Sequence, residues 1–212
     1  MKHTLLFLLL LCNASFGVER PKGFLGINWG GSPEEAKRVM QARPGVKFPE
    51  GTDDYKFELT GGTFAGQTVA KWTLEFPERK FASAIIVLKN EGNASTLYKD
   101  FRTQFATKYG PATSDKKLIP PGEKRPMVAQ PGAEKKGSFG GVTTWKFEPN
   151  MKEKSNVTIS CQLAGANGAP ATDEAQLVLT IHYINDTLAG TAPKNASAPA
   201  KPSQSNVKKE DL

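Results

Sequence analysis

Four side chains in this sequence belong to the types that catalysts recruit most often: Cys12, Cys161, His3 and His182. Cys161 keeps phase with Val157, Ile159 and Leu163. That alternation places it on the apolar face of a strand, where a thiol behaves as an inert small hydrophobe. His182 alternates the other way, with Val178, Thr180 and Ile184, opposite Leu177, Leu179, Ile181 and Tyr183. It reads as a partly exposed surface histidine, or as a general base if a nucleophile or substrate proton lies within hydrogen-bond reach. Ser160 and Thr180 are its candidate neighbours across a strand pair, and no Gly-x-Ser-x-Gly elbow is present. The Cys and His count is too small for a zinc site built from those ligands. The adjacent acids Glu34-Glu35, Asp53-Asp54 and Asp173-Glu174 lack the spacing of a calcium loop. Gly61-Gly62 and Gly140-Gly141 lack the lysine and helix context of a phosphate loop. We therefore expect no cofactor and no metal. One enzyme class stays open, a carboxylate-dependent hydrolase acting on an envelope polymer, with Glu75 and Glu148 as its acid pair.

The first seventeen residues reduce this inventory further. Lys2 and His3 precede a leucine run from Leu5 to Leu11, and Ser15-Phe16-Gly17 supplies small residues at a cleavage site. This is the pattern of a secretory signal peptide, and the apolar run is shorter than the roughly 20 residues of a membrane-spanning helix. Cleavage after Gly17, or after Ala14, removes Cys12 and His3, leaving Cys161 and His182 as the single cysteine and histidine of an exported chain with no intramolecular disulfide. The alternative is lipid attachment at Cys12, against which Leu11 stands where a small residue is expected. Asn93, Asn156, Asn185 and Asn195 each open an Asn-x-Ser/Thr acceptor pattern, and at such positions asparagine serves equally as a cap or turn residue.

The chain carries 28 Lys and Arg against 21 Asp and Glu, a net charge of +7. Much of that excess lies in two Pro-, Gly- or Ala-rich segments. Residues 113–141 hold Lys116, Lys117, Lys124, Arg125, Lys135 and Lys136 against three acids, and residues 187–212 hold four lysines against two acids. Both read as flexible, the first as a long basic loop and the second as a disordered tail with little to bury. With the charge sitting in flexible segments, we expect no nucleic-acid surface. The loop, through those six cations, is a candidate site for a protein or an anionic envelope polymer.

These residues need a scaffold, and the periodicities supply one. Ser32-Pro33-Glu34-Glu35 starts a helix with a capping residue, a first-turn proline and a capping-box glutamate. Ala36, Val39 and Met40 give its apolar face. Strands follow: Tyr55, Phe57 and Leu59 share a face, then Ala70, Trp72, Leu74 and Phe76, with Val69, Lys71, Thr73 and Glu75 opposite, then a dense run from Phe81 to Leu88 after a hairpin at Pro77-Glu78-Arg79-Lys80. A second helix carries Leu97, Tyr98, Phe101, Phe105 and Tyr109 on one face, is capped by Asn93 or Ser95, and stops at Gly110-Pro111. Three more alternating runs follow, around Trp145, Cys161 and Ile181.

The predicted fold is a single α+β domain over residues 24–186, after a short lead-in at residues 18–23. Its antiparallel sheet has about six strands and two helices on one face, in the order α-β-β-β-α-β-β-β. The echo between Lys71-Trp72-Thr73-Leu74-Glu75-Phe76-Pro77 and Thr144-Trp145-Lys146-Phe147-Glu148-Pro149 points to a possible internal duplication.

The opening Phe24-Leu25-Gly26-Ile27-Asn28-Trp29-Gly30-Gly31-Ser32-Pro33-Glu34-Glu35-Ala36 resembles the start of small exported bacterial α+β domains of uncharacterised function. In outline it is similar to small outer-membrane-assembly lipoproteins and to beta-lactamase-inhibitor-like repeats. The resemblance implies a sheet whose face and neighbouring loops bind other proteins, with no catalytic residues. The expected function is a non-catalytic, periplasmic or secreted binding or scaffold domain.

Overall fold

A computed structural model describes residues 20–51, 53–118, 140–150, 155–166, 168–171 and 173–190. The predicted cleavage site at Gly17 and the tail beyond Gly190 lie outside them, as do Lys124, Arg125, Lys135 and Lys136. The chain begins with a small hairpin, β1 (Gly23–Phe24) and β2 (Ile27–Asn28), and helix α1 (Pro33–Gln41). Strands β3 (Val46–Lys47), β4 (Lys56–Gly61), β5 (Thr63–Phe64), β6 (Gln67–Glu75) and β7 (Ser83–Leu88) follow. After helix α2 (Ala94–Tyr109) come β8 (Ser114–Lys117), β9 (Gly141–Phe147), β10 (Val157–Gly165), β11 (Leu177–Asn185) and a closing turn of helix, α3 (Asp186–Ala189).

The class is α+β, with more strands than the six expected. The main antiparallel sheet runs β3-β4-β6-β7-β11-β10-β9-β8, and β5 is added alongside β6. The additional strands are short or charged and carry no apolar alternation to announce them. Strand order is palindromic: each half is a helix followed by a four-strand meander, and the last strands of the halves, β7 and β11, pair at the centre. Equivalent strands in that arrangement are β6 with β10 and β4 with β9. The tryptophan echo does not follow it, because Trp72 lies on β6 and Trp145 on β9.

Helix α1 forms as its opening predicts. Ser32 Oγ accepts from the Glu35 N–H at 3.2 Å, and Ala36 and Met40 are fully buried. Helix α2 is capped differently from expectation. Asn93 occupies the cap position without a side-chain bond, while Glu174, far along the chain, accepts from the Ser95 N–H and from the Ser95 hydroxyl, both at 2.6 Å. A carboxylate so placed also complements the positive end of the helix dipole.

Phe101 and Phe105 drive α2 into the sheet, where Phe101 stacks on Phe64 and Phe105 meets Trp145 edge-on. From the hairpin, Phe24 packs on Phe64, Trp72 and Tyr183. All of these residues share one core on one side of the sheet.

Two strand assignments change. Register shifts between Val69 and Lys71, so Val69 is buried at 2 % exposure and Ala70 is exposed, the reverse of the uninterrupted alternation. A bulge inserts one unpaired residue and so inverts parity on one side of itself. Tyr55 precedes β4 and is 57 % exposed, so it does not share the buried face of Phe57 and Leu59.

The basic loop is also shorter than predicted, since Ser114–Lys117 is the edge strand of the sheet. A strand paired on one side and studded with charge shows no apolar period, and lysines on an edge discourage further pairing. Gly141 opposite it has no side chain for a reason: a Cβ there would lie 2.7 Å from the Tyr98 hydroxyl, which bonds Thr143 at 2.8 Å.

Candidate functional site: the open face of the sheet

Both long helices pack on one side of the sheet; at the end of the other lies the single turn α3, whose Asp186 accepts from the Thr158 hydroxyl at 2.6 Å. Strand register orders the side chains of that open face into rows. One row crosses from Ser114 through Thr144, Ser160, His182, Ile85 and Thr73 to Glu58. On one side of it runs Lys116, Val142, Gln162, Thr180, Val87, Lys71, and on the other Lys146, Thr158, Ile184, Ser83, Glu75, Lys56. The middle of the face is thus hydroxyl, amide and β-branched, with charge at its two margins. Most of these central side chains are half-buried, held upright by their cross-strand neighbours.

At the strand spacing of about 4.8 Å, a row over seven strands extends about 29 Å. The margins differ in their pairing. Lys56 and Lys71 both bind Glu58, at 2.8 and 3.0 Å, and this lowers the pKa of the Glu58 carboxyl through their hydrogen bonds. Lys116 and Lys146, at the β8–β9 margin, are exposed.

His182 sits at the centre of the middle row. Of the two neighbours expected across a strand pair, Ser160 faces it in register while Thr180 lies on its own strand, and its hydrogen bond goes elsewhere: Nε2 lies 3.0 Å from Oγ of Ser83 on β7, whose hydroxyl is fully buried. Burial lowers the pKa of the imidazole below its ordinary 6.5, opposed by the carboxylates of Glu75 and Asp186. A Ser–His contact alone does not make a nucleophile. Ser83 is inaccessible, and it lies within a strand instead of on a turn. Sequence reasoning missed Ser83 because its partner is 99 residues away.

The other candidates separate. Glu75 and Glu148 lie on or just beyond strands β6 and β9, with three strands between them. That is about 19 Å at the usual spacing, whereas paired glycosidase carboxyls stand roughly 5 to 9.5 Å apart. The fold does not bring this pair together. Glu34 and Asp54 both bind Arg79 at the end of the sheet, and Asp173 accepts from the Ala175 N–H as a local cap. No group of three His, Cys, Asp or Glu is close enough to hold a metal ion among the described residues.

Cys161 is wholly buried on the core face, and desolvation pushes its thiol up to about 12. Of the six loop cations, Lys116 stands on the open face and Lys117 is in register with Gly141 on the same edge strand.

On the helix side, a shallow groove of about 630 Å³ runs beside α2, with Lys99, Arg102, Thr103, Thr107 and Trp145 among its walls. Arg102 is already bound to Asp115, whose other oxygen accepts from Thr143 at 3.0 Å. The charge of Arg102 is therefore offset by Asp115, and Lys99 is the other cation of the groove.

No described helix is long and apolar enough to cross a membrane. Compared with protein-family models, with curated proteins and with solved structures, the chain matches none.

Proposed function

We propose that this protein is an exported, non-catalytic binding domain that docks another protein on the open face of its sheet. The observation that carries this reading is the three-row face itself. It is a broad surface of β-branched and neutral hydrogen-bonding side chains, on a scale of about 30 by 20 Å, within range of the roughly 800 Å² that each partner contributes to a standard interface. Its centre is free of unpaired charge, which suits the desolvated middle of an interface. Lys116 and Lys146 at the margin favour a partner surface with acids at its edge.

A protein fits better than a polysaccharide because the three rows contain no Phe, Tyr or Trp side chain. The exposed aromatic residue Tyr55 lies before β4, off the face. Export rests on the leader-like first seventeen residues, and the similarity in outline to exported protein-binding repeats supports the same reading.

The test is site-specific photo-crosslinking in an exporting host. Photoreactive residues at Thr144 and Thr180 should give discrete protein adducts, and one at Thr103 on the helix side should not. Lys116→Glu with Lys146→Glu should weaken the adducts several-fold. Equal labelling from both sides, or none from the open face, would reject the assignment, and adducts to glycan instead of protein would replace the partner class.

A further inference from the structure

The central pair of strands holds a polar contact that binding alone does not require. Strands β7 and β11 join the two halves of the chain, and their register runs from Thr180 opposite Val87 to Ile184 opposite Ser83. Along this seam the face is apolar on β7, with Ile85 and Val87, except at Ser83. Ser83 is fully buried, and the hydrogen bond of its hydroxyl spans the seam diagonally to His182 Nε2 at 3.0 Å. We infer that the Ser83–His182 contact is a proton-sensitive latch across the seam between the two halves, and that acidification opens it and alters the open face. What the latch would regulate rests on the docking reading above; the latch itself does not.

The charged surroundings are few. From β6 the facing group is Glu75, in register with Ser83, and from the start of α3 it is Asp186, which accepts from the Thr158 hydroxyl at 2.6 Å. From β10 the neighbours are Ser160, Thr158 and Gln162, and from β7 Ser83 and Ile85, none ionisable. Both carboxylates favour the imidazolium, yet burial outweighs them and keeps the ring neutral near pH 7.

The linkage follows from that sign. A base whose pKa is lower when folded binds more protons in the unfolded chain, so its stabilising effect is complete above its ordinary 6.5 and is lost as pH falls towards the folded value. In the tautomer with its proton on Nδ1, Nε2 accepts from Ser83; a second proton turns Nε2 into a donor, so the buried hydroxyl must reverse and its own hydrogen loses that acceptor, while a positive charge enters the neutral middle row.

With the leader removed, His182 is the chain's one imidazole, so its titration is read directly. Nuclear magnetic resonance should give a midpoint below 6.5, with the amides of Ala84, Ile85 and Ile86 shifting along the same curve. Hydrogen-exchange protection on β7 and β11 should fall several-fold between pH 7.5 and 5, in excess of any fall at the β4–β6 pair, and His182→Gln should abolish that excess. An ordinary midpoint, β7 amides that ignore it, or the same seam-specific loss in His182→Gln would overturn the latch. Should His182→Gln fail to fold, the wild-type titration and exchange still decide. Crosslinking at Thr180 at both pH values separates the two proposals: adducts unchanged by acid would leave docking in place and remove its regulation, whereas no adducts at either pH would remove docking and leave the latch to the exchange result.

Discussion

At the scale of single residues, burial explains more than chemical type does. Cys161 is the reactive-looking group of the core, but with no accessible surface and its thiol pushed up to about 12, it has negligible thiolate at ordinary pH. We expect an aromatic disulfide reagent at pH 8 to leave the folded protein unmodified and to titrate one thiol in denaturant for a chain lacking residues 1–17. Rapid reaction in the native state would mean that the core opens around β10. Glu174 shows the opposite situation, an ordinary surface acid with a structural task. It binds both the N–H and the hydroxyl of Ser95 at the start of α2. Glu174→Ala should cost about 1 to 2 kcal/mol in urea unfolding, the usual range for losing a helix cap. Glu174→Gln should recover part of that, since it keeps an acceptor and loses the charge.

At the scale of elements, the turn between β6 and β7 is informative. Glu78 and Arg79 have φ of 52° and 59°, and the Lys80 N–H bonds the Pro77 carbonyl at 3.0 Å. This is the primed geometry that suits hairpins, in which Asn-Gly is the preferred pair. The left-handed region costs an ordinary residue roughly 1 to 2 kcal/mol. Arg79 offsets part of this through its pairs with Glu34 and Asp54, which tie the turn to α1 and to the approach to β4. Those pairs are exposed and screened by solvent, so they contribute little. Glu78→Asn with Arg79→Gly should therefore raise the denaturant midpoint, by an amount worth about 1 kcal/mol. A lowered midpoint would show that the clasp on α1 outweighs the backbone strain.

The element-scale reading from sequence succeeds where periodicity is uninterrupted, as in α1, α2, β10 and β11. It fails at Ala70, where a bulge inverts the alternation, and at Ser114–Lys117, where an edge strand has no apolar face to display. The candidate site was legible in part. The alternation placed His182 and Thr180 opposite the core, but which strand lies beside β11 depends on a pairing that local pattern does not encode.

At the scale of the whole molecule, the halves are built alike and yet depend on each other. Phe24 of the first hairpin packs on Tyr183 of the last strand, with centroids 5.0 Å apart, and Phe64 stacks on Phe101 of α2. Neither half retains a closed core without the other, and each would expose a central strand edge at β7 or β11. Fragments divided between Glu91 and Gly92 should each lack cooperative unfolding by circular dichroism, and mixing them should restore it. Independent folding of either fragment would show that the seam is a domain boundary and not the centre of one core.

The sequence by itself determined the α+β class, the two long helices, the core positions of β10 and β11 and the burial of Cys161, because local propensity and side-chain period are written in neighbouring residues. Only the tertiary structure decided the palindromic strand order, the capping of α2 by Glu174, the separation of Glu75 from Glu148, and the meeting of Ser83 with His182. Each of these depends on which distant strands become neighbours. That choice is made by how the aromatic core closes over the sheet, and no short window of sequence contains it.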